Sequence, residues 1–224
     1  MNQELIHYLS NFISDERFAL FEQVLMQRTR YITVVLEDIF QSHNASAVLR
    51  TCDCFGVQDV HIIENRNKFN ENIRVTRGSD QWLSMYYYNQ QPDNTLSAIQ
   101  SLKEDGYKIV ATSPHSNDVD LADFDLTSGK IALVFGTEKR GISEVVKHHA
   151  DSFLKIPMQG FTESLNISVS VAIILHYLTK ELRNKSINWK LTDQERELLL
   201  IEWLRKSIKS GDLLIKNFGQ VINV

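Results

Sequence analysis

The run Ile131-Ala132-Leu133-Val134-Phe135 constrains the fold more than any other part of this chain. Its consecutive apolar residues leave no polar face, so a strand built from them must be covered on both sides. Such strands belong to parallel sheets with helices packed on each face. The run Ile32-Thr33-Val34-Val35-Leu36 is also β-rich, and Asp59–Glu64, Tyr107–Ala111 and Phe153–Ile156 read as further strands. Helical patterns separate them. One spans about Asn44 to Phe55 and is closed by Gly56 as a C′ glycine. Another runs from Thr95 to near Gly106. A helix of about two turns is capped by Ser143, and a long apolar helix runs from Leu165 to about Arg183. This alternation predicts an α/β fold with a mostly parallel sheet flanked by helices.

The two ends read as helical additions. Two helices are expected before the first strand, the second capped by Ser14 and carrying Phe18, Phe21, Val24 and Leu25 on an apolar stripe. Asn65–Asp93 reads as loop-rich, and includes Arg77-Gly78-Ser79 and the aromatic group Trp82, Tyr86, Tyr87 and Tyr88. After a connector at Ser186–Lys190, Thr192-Asp193-Gln194-Glu195 forms a capping box ahead of Leu198, Leu199, Ile201, Trp203 and Leu204. The expected organisation is a helical segment over 1–30, a central domain over 31–185 and a helical extension over 186–224. No internal repeat is present.

Composition excludes some classes. No apolar stretch reaches the length of a membrane span. The start lacks a basic region followed by an apolar run, so no signal peptide is expected and a cytoplasmic location is. Cys52 and Cys54 sit two apart, which on a helix points them to different faces, so neither a disulfide nor a metal site is expected. No Ser–His–Asp arrangement fits the histidines. The net charge is −4, but distribution matters more than the sum. Basic residues gather at Arg17, Arg28 and Arg30, at Arg66, Lys68, Arg74 and Arg77, at Lys139 and Arg140, and at Lys180, Arg183 and Lys185. These clusters are candidates for RNA contact.

Three loops carry chemistry. In Asn44-Ala45-Ser46-Ala47-Val48-Leu49-Arg50-Thr51, Asn44 is a natural N-cap. Arg50 lies nearly two turns on, where it could share a face with Asn44. In Phe135-Gly136-Thr137-Glu138-Lys139-Arg140-Gly141, a buried strand ends in a turn with two glycines, which favours close approach of a ligand to backbone. The spacing is neither a dinucleotide fingerprint nor a P-loop. In Ile156-Pro157-Met158 through Glu163-Ser164-Leu165-Asn166-Ile167-Ser168, four polar residues (Glu163, Ser164, Asn166 and Ser168) precede a core-like helix. Helix capping accounts for one or two of them, not all, which favours a ligand site here.

In order and spacing these segments resemble the SpoU branch of the SPOUT RNA 2′-O-ribose methyltransferases. That branch carries N-x-x-A-x-x-R-T, then F-G-x-E-x-x-G, then I-P-M…S-L-N-x-S. Within it the chain is most similar to the TrmH type, over roughly Arg17 to Arg183. The resemblance implies a C-terminal deep trefoil knot that forms the cofactor site, and a homodimer. It implies S-adenosylmethionine as cofactor, with Thr112, Gly136, Gly141, Ile156, Met158 and Leu165 lining its pocket. Arg50, Asn44, Ser164, Asn166 and Glu138 match the family's functional positions. The implied substrate is a ribose in tRNA, guanosine-18 of the D-loop, with Arg17, Arg28, Arg30, Lys180 and Arg183 as RNA contacts. Lys180 stands where an arginine is expected, which removes the planar fork of a bidentate phosphate contact. The alternatives are ribosomal RNA as substrate, or a non-catalytic RNA-binding module on the same fold. The complete functional set at Asn44, Arg50, Glu138, Ser164 and Asn166 speaks against the last.

Overall fold

The structure is a computed structural model that describes residues 2–69, 76, 78–113, 118–137 and 140–222. Glu138, Lys139, Arg74 and Arg77 lie outside the described residues. The chain divides into two compact units, one of residues 30–189 and one of residues 1–29 with 190–224.

The larger unit holds a seven-stranded sheet. Its strands are β1 (Ile32–Glu37), β2 (Asp59–Ile63), β3 (Ser84–Tyr88), β4 (Lys108–Thr112), β5 (Val119–Asp120), β6 (Ile131–Phe135) and β7 (Ser152–Lys155). They lie in the order β3-β2-β1-β6-β4-β7-β5, and all pairs are parallel. The apolar run named first sits at the centre as expected. Every residue of β6 is buried, and Ile131–Phe135 register one to one with Ile32–Leu36. Successive side chains enter opposite layers. Val34, Leu36, Leu133 and Phe135 join one core, while Val35, Ala132 and Val134 join the other.

Helices cover both layers. In the first, α3 (Ser42–Phe55) contributes Val48, Leu49 and Cys52. The helix Ile167–Asn184 contributes Val171, Ile174, Leu175 and Leu178. In the second, α4 (Thr95–Glu104) contributes Ala98, Ile99 and Leu102, and α5 (Glu144–His149) contributes Val146. The helix over Ile167–Asn184 is α6. Gly56 adopts the left-handed conformation (φ 76°) that closes α3. Cys52 is buried and Cys54 exposed, as the spacing predicted.

Some elements differ from the expected ones. The loop-rich region contains β3, an edge strand whose residues are only partly covered. Its Met-Tyr-Tyr-Tyr run has strand propensity but no polar alternation, so periodicity could not reveal it. Two-residue β5 is too short to carry a pattern. Helix α3 begins at Ser42 with Gln41 as N-cap, so Asn44 is inside the first turn and not the cap. Helix α6 begins at Ile167 with Asn166 as N-cap, two residues later than Leu165.

The smaller unit contains α1 (Asn2–Ser10), α2 (Asp15–Leu25), α7 (Asp193–Ser207) and α8 (Gly211–Ile222). Ser14 caps α2, and the Thr192–Glu195 capping box opens α7, both as expected. Phe21 meets the buried Trp203 edge-on, with ring centroids 5.7 Å apart. A bridge pairs Thr29 with Lys190. Thus the two ends of the chain fold into one unit. Helix α8 was not anticipated; its Phe218 stacks on Tyr8 at 5.2 Å.

Candidate active site

The site is assembled where β4, β6 and β7 end. After β6 the chain turns back on itself. Thr137 N donates to Gly141 O at 3.0 Å, and Gly141 N donates to Thr137 O at 2.8 Å. Gly136 lies so close beneath this turn that a Cβ would collide with the backbone of Gly141 and Ile142. Gly141 itself has φ 65°, a conformation that favours glycine. The two glycines therefore do separate work, one allowing approach and the other the turn. Ser143 then caps α5, and its N–H and Oγ both donate to the buried Glu37 at 2.9 and 2.7 Å. The same carboxylate accepts from Thr95 Oγ1 at 2.8 Å. Glu37 thus ties β1 to the first turns of α4 and α5, where a negative charge is favoured.

The loop before α6 approaches from the other side. Asn166 caps the helix, its Oδ1 accepting from Ser168 N and Oγ at 2.9 and 2.6 Å. Its Nδ2 donates to Asn44 Oδ1 at 3.2 Å, and Asn44 Nδ2 donates to Gln41 Oε1 at 2.9 Å. Segments more than a hundred residues apart in the chain meet through this amide chain. Thr112 Oγ1, at the end of β4, is held by Val134 O at 3.0 Å.

Between these loops lies a cavity of about 420 Å³. Thr112, Gly136, Gly141, Ile156, Met158 and Leu165, the expected cofactor residues, all line it, together with Glu163 and Ser164. Among the described residues its wall mixes aliphatic side chains with hydroxyls, backbone, the Glu163 carboxylate and the Arg140 guanidinium. It falls within the range of roughly 300–1,000 Å³ typical of small-ligand pockets. A second cleft of about 320 Å³ adjoins it, sharing Thr137, Arg140 and Ile167 and holding Asn44.

Arg50 does not line either cavity. Six helical positions amount to about 600°, which leaves the two side chains about 120° apart. Asn44 is 8% exposed whereas Arg50 is exposed, so the expected shared face is corrected. The candidate RNA contacts also separate. Arg17 and Lys180 are exposed. Arg28 is only 2% exposed and lies over the Trp203 ring at 5.3 Å, inside the helical unit and not on a phosphate-accessible surface. Arg30 pairs with the buried Asp59 at 3.0 Å. Arg183 donates to Thr179 O within its own helix and to Phe55 O, the last carbonyl of α3, both at 3.0 Å. Burial lowers its pKa.

The motifs gave no sign of a role for Asp38, Phe40 and Asn67, which line the second cleft together with Arg66, one of the candidate RNA contacts. Asp38 is the sole positive-φ residue other than glycine among the described residues, at φ 56°. Aspartate tolerates that region better than most residues, but the sequence alone does not announce it.

A model of the SpoU rRNA Methylase family matches residues 31–176. A tRNA (guanosine(18)-2′-O)-methyltransferase of Borreliella burgdorferi is 46% identical over 205 residues, covering 92% of each chain. The crystal structure of the Aquifex aeolicus TrmH/SpoU tRNA modifying enzyme superposes with a TM-score of 0.77 at 28% identity, covering 87% of this chain and 98% of that one. An AdoMet-bound rRNA methyltransferase from Sinorhizobium meliloti shares the fold at a TM-score of 0.60 and 22% identity, over 70% of this chain and 58% of that one.

Proposed function

The chain belongs to the SpoU rRNA Methylase family, and from that premise we propose that it methylates the ribose 2′-hydroxyl of guanosine-18 in tRNA, with S-adenosylmethionine as cofactor. The observation that carries this reading is the meeting of the turn after β6 and the loop before α6 at one cavity, with the Asn44 segment lining the adjoining cleft and tied to that loop by the Asn166–Asn44 hydrogen bond. The residues present fit the cofactor. Gly136 lets the turn that walls the cavity pack closely, the aliphatic wall suits an adenosine, and the Glu163 carboxylate complements a cation. When bound there, S-adenosylmethionine supplies a methyl group activated by its sulfonium.

The protein's own residues must do the rest. A ribose hydroxyl is a weak nucleophile until its proton leaves, so it must be oriented and its growing negative charge stabilised. Asn44, Asn166 and Ser164 orient the ribose at the mouth. Arg50 stabilises the developing alkoxide and grips RNA phosphate. A guanidinium stays protonated at neutral pH, which makes it a poor base but a persistent positive charge. Since Arg50 lies outside both cavities of its own chain, it reaches the ribose only with RNA or a second chain in place. The outer face of α6 supports a homodimer, because Val169 and Ile173 are exposed at four-residue spacing. A trefoil knot over the C-terminal part of the sheet is included in the proposal. Its support is the sheet order, in which β6 lies between β1 and β4 while β7 lies beyond β4. No helix among the described residues is long and apolar enough to cross a membrane, and the proposed site of action is the cytoplasm.

Incubation with labelled S-adenosylmethionine and unmodified tRNA tests the reading. Label is expected on the ribose of guanosine-18. Label on a base, or only on ribosomal RNA, would overturn it. Arg50→Ala should abolish turnover while cofactor affinity stays near normal, and unchanged turnover would remove Arg50 from the mechanism.

A further inference from the structure

The cleft beside the cofactor cavity holds chemistry that the three motifs leave unassigned. Two arginines line it, Arg66 from the segment after β2 and Arg140 from the turn after β6. Both are exposed, and among the described residues neither has an ion-pair partner. The Asp38 carboxylate, the one carboxylate in the wall among the described residues, is turned to another task. Asp38 Oδ1 accepts the backbone N–H groups of Asn65, Arg66 and Asn67 at 2.8, 2.8 and 3.3 Å. Asn67 Nδ2 returns a bond to Asp38 O at 2.9 Å. Asp38 therefore fixes the backbone that carries Arg66 at the cleft, and its charge is taken up by that turn. The two guanidiniums dominate the mouth.

The rim adds an aromatic. Phe40 is 77% exposed although it borders the cleft. A phenyl ring beside unpaired guanidiniums matches a nucleotide, which offers a flat base and a phosphate. Location favours the same ligand, since Thr137, Arg140 and Ile167 are common to both cavities. A group in this cleft would abut the cofactor cavity.

We propose that this cleft is the subsite for the target nucleotide of the RNA. Phe40 stacks on the base, Arg66 and Arg140 hold the phosphates flanking the ribose, and Asp38 is a positioning residue for Arg66. The inference rests on the methyltransferase reading for the identity of the RNA. Its test does not depend on turnover.

The full-length protein is saturated with S-adenosylhomocysteine, and binding of an unmodified tRNA transcript is titrated over a series of KCl concentrations. Phe40→Ala should weaken binding about fivefold or more, as expected for loss of one base stack, with the salt dependence unchanged. Arg66→Gln should also weaken binding and reduce the slope of log affinity against log salt by about one, because one phosphate contact is lost. Both side chains are exposed, so folding is little affected, and S-adenosylmethionine affinity should stay within about twofold as the check. Wild-type affinity and salt slope in both variants would overturn the subsite. Methylation is scored separately. Label on guanosine-18 with variants that bind like wild type sinks the subsite alone. Loss of binding in both variants, without label on tRNA in the wild type, sinks the reaction and leaves the subsite supported.

Discussion

Asp38 is a residue whose conformation and bonding require each other. Its φ of 56° costs about 1 kcal/mol for a side chain bearing a Cβ. The three N–H groups gathered by Oδ1 offset that cost. Asp38→Ala keeps the strain and removes the acceptor, so urea unfolding should show a loss of about 2–4 kcal/mol. Asp38→Asn keeps an acceptor and tolerates the left-handed region, and should lose less than half of that. Equal losses would mean the charge, not the geometry, matters. His61 makes a different prediction. It stacks on Tyr86 at 4.7 Å, its Nδ1 lies 3.1 Å from Tyr88 Oη, and burial lowers its pKa to about 4. The unfolded chain takes up a proton near pH 6.5 that the folded chain refuses until about pH 4. Stability should therefore fall on acidification through that window, by up to about 3 kcal/mol. His61→Gln should flatten that part of the pH dependence relative to wild type, and an unchanged profile would contradict it. Neither residue was legible in the sequence. A lone Asp and a lone His carry no pattern, and their roles come from neighbours brought by the fold. Asn44 and Arg50 were legible as a motif, but their faces were not. Spacing by whole turns seemed to align them, and the roughly 100° advance per residue separates them.

At the scale of elements, the cavity proposed for the cofactor was the most legible part of the molecule. Its lining comes from strand ends and from the loops that follow them, where apolar runs stop and glycines begin. The sequence marks those boundaries clearly, and the expected lining residues line one cavity. Strand β3 was not legible, because a partly covered edge strand has no strict apolar alternation. Gly136 gives the element-scale prediction. The turn between Thr137 and Gly141 sits directly over it, so Gly136→Ala must push that turn outward. Such overpacking typically costs about 1–3 kcal/mol. Part of the displacement falls on the cavity wall, so calorimetry should find S-adenosylmethionine bound about tenfold more weakly or worse. Gly141→Ala acts on the same turn through its φ of 65° and has open space for a methyl group. It should weaken binding less. A Gly136→Ala protein that binds the cofactor like wild type would show that the turn is not part of the pocket.

For the whole molecule, the ends of the chain carry a lesson about organisation. Two terminal segments read separately from the sequence form one helical unit, with Trp203 of α7 packed on Phe21 of α2. Contacts between elements so distant in sequence leave no periodic trace in either segment. The same blindness applies to assembly, which makes the dimer the last thing to test. On α6, the buried residues Val171, Ile174, Leu175 and Leu178 face the core. Val169 and Ile173 lie off that face, outside the core, with polar Ser170 and the exposed His176 nearby. An apolar row along a helix that is already anchored on its other side would lose water contact if a second copy covered it, at roughly 25 cal/mol per Å². By this argument wild-type protein should elute with scattering mass twice the 25.9 kDa of one chain. Placing a carboxylate in the row would bury a charge against its own symmetry mate. Val169→Glu with Ile173→Glu should therefore run at the mass of one chain, with its helical circular dichroism intact because neither side chain is in the core. It should also lose methyl transfer, since Arg50 or the α6 loop would lack its partner surface. A monomeric double variant with full turnover would separate assembly from catalysis. A dimeric one would place the interface elsewhere on the protein.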